Sequence, residues 1–400
     1  MTHPAAPTKD NRAKKRSRLL ALPVAAMMAL TTLSALKPPA DASAPAPQAP
    51  ARKGRIVMYV QDAKDLSSVL ATAETVDQLN YAFALIRDGR ASLDHAAGLK
   101  DVSRFLRSHP HIDGVLSVGG WGADGFSQAC ATEEGRAALA ESILALMDEH
   151  GFVGVDIDWE YPGMSAGGIA SSPDDTENWY ALLALLREGL DARQAETGRD
   201  HLLSVALGAS QEHVDLADGE RLAALVDQAV VMAYDLRGFD RLTGHHAGLY
   251  PDSDIQLSAS WAVNAWIADG MPEGKLLLGV PLYGRVWRQV SGGTGLNRHA
   301  ATSGNRIVSQ ADIAFLLENG ATRHWDDGAQ AAHLYDGENF ISYEDAQSAQ
   351  AKADWAVDQG LLGLALWCGN QDTEGVILSA VEEALNVVEL ATPTDMAEGA

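Results

Sequence analysis

The chain has 400 residues, 46% of them hydrophobic, and a formal net charge of −24. That length is ample for a large core, and two cysteines, Cys130 and Cys368, are too few for a disulfide-built scaffold. Nine of the 30 Lys/Arg but only two of the 54 Asp/Glu lie in residues 1–53, so the remainder carries 21 basic against 52 acidic residues. Such a body repels nucleic acid and polyanionic polymers and suits a neutral or cationic substrate.

The first element in chain order is a targeting signal. Lys14-Lys15-Arg16-Ser17-Arg18 precedes an apolar run from Leu19 to Leu36, and Ala42-Ser43-Ala44 follows with the small-residue pattern of a cleavage site. Charged, apolar and small-residue regions in that order predict a secretory signal over residues 1–44 and a secreted protein without stable membrane insertion after processing. An uncleaved membrane anchor is the alternative, but Pro23 and the Thr31-Thr32 pair make a poor span. Residues 45–53 read as a stiff Pro/Ala linker. In an oxidising compartment the two cysteines could pair; two buried free thiols are the alternative.

From residue 54 short apolar runs alternate with helical periodicity. The expected strands are Arg55–Val60, Gln78–Leu85, Ile112–Val118, Val153–Trp159, Leu202–Leu207, Gln228–Tyr234, Leu276–Pro281 and Leu362–Trp367. Near-continuous Val/Ile/Leu content marks parallel strands buried on both faces. Amphipathic stretches such as Arg136–His150 and Glu177–Leu190 lie between them. Eight such units over residues 54–390 predict an α/β fold, a (β/α)8 TIM barrel. A doubly wound open sheet is the runner-up, but no Gly-x-Gly-x-x-Gly follows the first strand. The seventh connection is too long, and residues 287–341, with a helix around Ser309–Asn319, read as a small α+β insertion domain on the barrel's C-terminal face. A further helix is expected at Asp345–Gln359. The tail, 391–400, lacks periodicity and is expected to be disordered.

The fourth strand carries the chemistry. Residues 151–161 read Gly-Phe-Val-Gly-Val-Asp-Ile-Asp-Trp-Glu-Tyr, with Asp156, Asp158 and Glu160 at every second position. In a strand these side chains share one face, roughly 6–7 Å apart, while Val155, Ile157 and Trp159 occupy the other. Carboxyls crowded at the end of a buried strand raise one another's pKa, which keeps one protonated near neutral pH as a proton donor. Metal binding is the rival reading. However, no His lies nearby in sequence, and strand spacing spreads the oxygens rather than wrapping a cation.

The remaining strand ends converge on the same face: Tyr59, Phe83, Ser117, Gly119, Gly120, Trp121, Met232, Tyr234, Asp235, Tyr283, Arg285 and Trp367. Acids combined with aromatic planes suit carbohydrate. Structural roles compete for several of them. Tyr59 and Trp367 could be barrel core, Ser117 a small residue allowing the Gly pair close approach, and Trp121 a surface aromatic. His245-His246, in a Gly/Thr-rich loop, read as structural rather than metal-binding.

These motifs resemble family 18 glycoside hydrolases of the chitinase type. The family's Asp-Gly-x-Asp-x-Asp-x-Glu strand matches Gly154, Asp156, Asp158 and Glu160. Its Ser-x-Gly-Gly strand matches Ser117, Gly119 and Gly120, and its Met-x-Tyr-Asp strand matches Met232, Tyr234 and Asp235. Gly279–Arg285 and Gly363–Trp367 match the seventh and eighth strands, so the likeness covers about residues 54–385. Val153 departs from the pattern, standing where the family has its first Asp; a local structural effect is expected there.

The resemblance implies hydrolysis of β-1,4-linked N-acetylglucosamine with retention, by a secreted monomer that needs neither cofactor nor metal. Its implied catalytic residues are Glu160 as acid/base, Asp158 and Asp156 as its partners, and Tyr234 positioning the substrate's acetamide. Its implied substrate contacts are Tyr59, Ser117, Trp121, Tyr161, Met232, Asp235, Tyr283, Arg285 and Trp367. The partners are chitin or its oligosaccharides. Two other readings remain: an N-acetylglucosaminidase acting on N-glycans or peptidoglycan, and a chitinase-like lectin, against which the presence of Glu160 counts.

Overall fold

The computed structural model describes residues 52–252 and 256–386. The expected signal (1–44), most of the linker and the tail (391–400) lie outside the described residues. Arg52 and Lys53, assigned to the linker, are instead tied to the body. Arg52 pairs with Asp77 at 3.0 Å and Glu382 at 3.4 Å, and the Lys53 amide donates to the Leu385 carbonyl at 2.9 Å. A basic residue at a linker's end finds carboxylates on this acidic body, which composition alone does not locate.

The chain lays down β1 (Arg55–Gln61), β2 (Gln78–Arg87), β3 (Arg90–Ser92), β4 (Asp113–Gly119), β5 (Gly154–Asp158), β6 (Leu202–Leu207), β7 (Gln228–Val231) and β8 (Leu276–Pro281). It then leaves to build β9 (Tyr283–Trp287), β10 (Arg306–Ser309), β11 (Thr322–Asp326), β12 (Ala331–Tyr335) and β13 (Phe340–Tyr343), and returns with β14 (Gly363–Trp367). The main sheet runs β1-β14-β8-β7-β6-β5-β4-β2, all parallel, and β1 also pairs with β2, closing the barrel; β3 is an antiparallel hairpin appended to β2. The expected (β/α)8 architecture is what forms.

Alternation along the strands sorts the core. On β5 Val155 and Ile157, and just past its end Trp159, face the helical layer, where Trp159 stacks on Phe126 at 5.0 Å. The barrel interior is filled by small and medium side chains, Val57, Ala82, Val230, Leu277 and Ala365, beneath Tyr59 and Trp367. Each fully buried Leu, Ile or Val contributes about 1.5–3 kcal/mol relative to exposure, so the helix–strand layer carries most of the stability.

Two boundaries differ from expectation in ways that matter for the site. The expected strand Leu276–Pro281 forms as β8, but the motif Gly279–Arg285 matched to the seventh strand runs past its end. Pro281 ends β8, the Leu282 amide donates to the Trp367 carbonyl at 2.7 Å, and Tyr283 opens β9 in a separate sheet. That sheet, β10-β9-β13-β12-β11, is antiparallel throughout and spans Tyr283–Tyr343, wider than the expected 287–341. It has its own core of Val286, Val308, Ile313, Leu334 and Ile341. Similarly, β7 ends at Val231 rather than Tyr234, although the Met232 amide still donates to the Leu207 carbonyl of β6 at 2.9 Å.

Candidate active site

A cavity of about 580 Å³ opens at the C-terminal ends of the barrel strands. Asp158, Glu160, Tyr161, Met232, Tyr234, Asp235, Tyr283, Arg285, Tyr59, Trp121 and Trp367 all line it. The barrel and the second sheet both contribute, the latter through Tyr283, Arg285, Asn305 and Ile307.

The acid row follows from register. β4 and β5 run parallel with Ser117 beside Asp156 and Gly119 beside Asp158. Gly119 (φ 114°) and Gly120 (φ 92°) permit this approach: a Cβ on Gly119 would sit 2.1 Å from the Asp158 carbonyl oxygen, and one on Gly120 would meet the Phe83 ring at 2.6 Å. The Gly120 amide donates to that same Asp158 carbonyl at 2.9 Å. Asp156 is wholly buried; its Oδ2 accepts from Ser117 Oγ at 2.6 Å and Tyr59 Oη at 3.0 Å. Ser117, expected to touch substrate, is therefore corrected to a support beneath the row: it is fully buried and does not reach the cavity. The Asp156 and Asp158 Oδ1 atoms are both buried without a hydrogen-bond partner among the described residues.

Burial drives the electrostatics. It raises Asp156 despite the hydroxyls of Ser117 and Tyr59, and it holds Asp158 well above the carboxylate range, helped by the charges of Glu160 and Asp156. Glu160, just past the strand end, is pushed up to about 7 by burial; a hydrogen bond from Tyr161 opposes the rise and the charge of Asp235 adds to it.

Asp235 is the counterpart. Burial works against its charge, but His246 and Arg285 overcome that and hold the carboxyl well below its usual range. Its Oδ1 accepts from Tyr283 Oη at 2.7 Å and Arg285 Nε at 2.5 Å. The backbone at Asp235 is left-handed, φ 58°, a costly state that persists only where surrounding contacts over-determine it.

Trp367 forms the floor, with Tyr59 edge-on at 5.7 Å and Phe83 tilted at 5.6 Å. Trp121, 62% exposed, stands at the rim, and so does Phe239, 67% exposed and under the Arg285 guanidinium at 5.1 Å. Peptide bonds Ala82–Phe83, Glu160–Tyr161 and Trp367–Cys368 are cis. Sequence reasoning missed His213, Ser210, Phe239, Leu257, Asn305 and Ile307 as lining residues. His213 packs its ring 4.0 Å from Tyr161 and also caps a short helix with Ser210. Its only sequence signal was that position just after β6.

Val153 lies buried at the N-terminal edge of β5, remote from the carboxyl end. Its carbonyl accepts from the Leu202 amide at 3.2 Å, and its amide donates to the Gly114 carbonyl at 2.8 Å. Cys130 and Cys368 are buried, unpaired thiols. Among the described residues no group of three or more His, Cys, Asp or Glu could hold a metal ion.

Residues 55–372 match the family described as glycosyl hydrolases family 18, and the chain belongs to that family. It is 31% identical over 327 residues to chitinase A1 of Niallia circulans, covering 75% of this chain and 46% of that protein, so it spans about half of that relative. It is 30% identical to a class V chitinase of Arabidopsis thaliana, covering 72% of this chain and 77% of the other. Among solved structures, a family 18 N-acetylglucosaminidase from Paenibacillus barengoltzii superposes with TM-score 0.79 at 35% identity, over 83% of this chain and all of that one. A class V chitinase mutant of Nicotiana tobaccum solved in complex with NAG4 superposes with TM-score 0.74 at 26% identity, over 83% and 98%.

Proposed function

We propose that this protein is a secreted chitinase that cleaves β-1,4 bonds between N-acetylglucosamine units with retention, using the substrate's own acetamide as nucleophile. The observation that carries the reading is the carboxyl row ending in Glu160 at the wall of a large aromatic cavity, where burial raises Glu160 to about 7, so that a proton is available near neutral pH.

Glu160 donates its proton to the glycosidic oxygen as the C1–O bond breaks. The acetamide oxygen attacks C1, giving a cyclic oxazolinium ion and releasing the leaving sugar as an alcohol. Asp158 accepts a hydrogen bond from the acetamide N–H and offsets the positive charge; Asp156 shares a proton with Asp158. The two Oδ1 atoms without a geometric hydrogen bond support that sharing, since each buried carboxyl keeps an oxygen free to take a common proton. Tyr234 holds the acetamide carbonyl for in-line attack. Glu160, now a base, removes a proton from water, which opens the ring from the same face. Trp367 supports the cleaved sugar, and Tyr161, Trp121, Asp235 and Arg285 bind its neighbours.

Export is part of the proposal and rests on the charged, apolar and small-residue order of residues 14–44. Among the described residues no helix is long and apolar enough to cross a membrane. The likeness to the Paenibacillus N-acetylglucosaminidase favours one second reading, release of single sugars from chain ends. Incubation with N-acetylglucosamine hexamer separates the two. Dimer and trimer with initial β-anomers support the chitinase, monomer alone supports the second reading, and initial α-anomers refute retention. A thiazoline analogue of the oxazolinium should inhibit competitively.

A further inference from the structure

His246 lies outside the motifs that mark the site and does not line the cavity, yet it is built into the cavity wall. It is 1% exposed, and its Nδ1 lies 3.5 Å from Asp235 Oδ1, the oxygen that also takes Tyr283 Oη and Arg285 Nε. The imidazole packs on the Tyr283 ring at 5.3 Å. Its backbone clamps both sides of the cleft: the carbonyl accepts from the Leu236 amide at 2.9 Å, and the amide donates to Ser342 Oγ on β13 at 2.9 Å. His246 thus joins the left-handed turn at Asp235 to the second sheet.

We propose that His246 is a positioning residue for the acid/base step, fixing the Asp235 carboxylate against Glu160; this rests on the reading of Glu160 given above. The groups facing His246 are Asp235, Arg285 and Tyr283, together with Glu344, itself paired with Lys352. Burial favours the neutral ring; neither ring nitrogen makes a geometric hydrogen bond among the described residues, and Nδ1, 3.5 Å from Asp235 Oδ1, is the one that faces an acceptor, so the single ring proton is assigned there. With Oδ1 bonded to Tyr283 and Arg285 of β9 and flanked by His246 at 3.5 Å, Asp235 is held in place, and its charge stays where it opposes ionisation of Glu160. Tyr161 and Asp158 also face Glu160 but do not touch His246.

Without the imidazole, Asp235 either swings toward Arg285 or takes up a proton. Both relieve Glu160, which then ionises at lower pH. The test is the pH profile of kcat/KM on a soluble N-acetylglucosamine tetramer for His246→Leu, His246→Asn and Asp235→Asn. His246→Leu should move the alkaline limb down by about half a unit or more, the size expected when one nearby charge relaxes. It should also lower kcat about tenfold with KM little changed, as misplacement of a reacting group does. His246→Asn keeps an N–H at this site and should restore most of both. In the Asp235→Asn background, His246→Leu should shift the limb no further.

A wild-type limb in His246→Leu, equal damage in His246→Asn, or additive shifts in the double variant would each overturn the assignment. If His246→Leu does not fold, the comparison of His246→Asn alone and in the Asp235→Asn background carries the test. Glu160→Gln runs alongside. Should it retain turnover, the reading of Glu160 falls and this inference with it; an inactive Glu160→Gln beside an unshifted His246→Leu removes only the role of His246.

Discussion

Two carboxylate neighbourhoods face each other across one cavity and are driven in opposite directions. At the end of β5, Asp156, Asp158 and Glu160 are buried among one another with only hydroxyls for company, and all three are raised. A few residues past β7, Asp235 is only half-buried and has a guanidinium and a phenol bonded to one oxygen with an imidazole 3.5 Å away, and it is lowered. Burial alone would make both neutral. What separates them is the partner set: β5 supplies like charges, whereas β9 supplies Arg285 and Tyr283. A site with one retained proton and one fixed negative charge at close quarters has the polarity that acid/base chemistry at neutral pH requires.

The comparison breaks most decisively at Glu160. Glu160→Gln removes the transferable proton but keeps shape, and hydrolysis of N-acetylglucosamine oligomers should fall by about 10³-fold or more while oligomer binding by calorimetry survives. A near-normal rate would end the proposed mechanism. Asp158→Asn should lose about 10²–10³-fold in kcat, the range seen when one group stabilising developing charge is removed. Wild-type kcat in that variant would refute its role opposite the acetamide.

Arg285 tests the other side. Arg285→Leu leaves Asp235 without its guanidinium partner. Because Asp235 keeps 30% of its side-chain exposure, the stability cost should be about 2–3 kcal/mol, short of the 3–5 expected for a wholly buried pair. Activity should drop about tenfold, and the alkaline limb should move. Chemical denaturation and a pH profile read both effects. A variant as stable as the parent would mean that Asp235 does not depend on the pair.

The contrast between the two neighbourhoods also explains what could be read in the sequence. The acid row was legible because its spacing of two is the strand period, so three side chains declare a common face before any tertiary contact is known. The eight apolar runs were legible for a related reason: a parallel strand buried on both faces leaves an unbroken Val/Ile/Leu signature. Asp235 was legible as a candidate, but its lowered pKa was not. Its partners lie 11 residues away at His246 and 48 and 50 residues away at Tyr283 and Arg285, brought together only because Pro281 ends β8 and β9 turns into another sheet. Matching Gly279–Arg285 as a single seventh-strand motif hid that turn, although the strand itself was expected to end at Pro281. Ser117 was assigned to substrate through the family resemblance, and the β4–β5 register shows its hydroxyl spent on Asp156.

The neighbourhoods should differ in stability as well as activity. Glu160 is raised to about 7 from an ordinary value near 4.5. Between those values the folded state binds more protons than the unfolded state, so stability is present at low pH and declines as pH rises through 7. Glu160→Gln cannot ionise and escapes that decline. It should therefore melt several degrees higher than the parent at pH 8, with a ceiling of about 3 kcal/mol, and equal to it at pH 4. An equal melting temperature at pH 8 would mean that the glutamate's burial is relieved by solvent in the folded state.

The same rule with opposite sign applies in the second sheet. His333 on β12 is 2% exposed and stacked between His324 at 5.0 Å and Phe340 at 5.0 Å, with His245 at 5.5 Å; both its ring nitrogens lack partners among the described residues. Burial, then the neighbouring imidazoles, lower it to about 3. Here the unfolded chain binds the extra proton between pH 6.5 and 3, so stability is present above 6.5 and is lost as pH falls through that window. At pH 5 the nominal loss is about 2 kcal/mol. His333→Phe removes the titrating group while keeping an aromatic ring against Phe340, so its melting temperature should fall less between pH 7 and 5 than the parent's. The cavity and the second sheet thus limit the fold from opposite ends of the pH scale. If His333→Phe and the parent lose stability in parallel on acidification, the acid limit lies elsewhere, with His245 and its 3.3 Å contact to Asp326 the next residue to change.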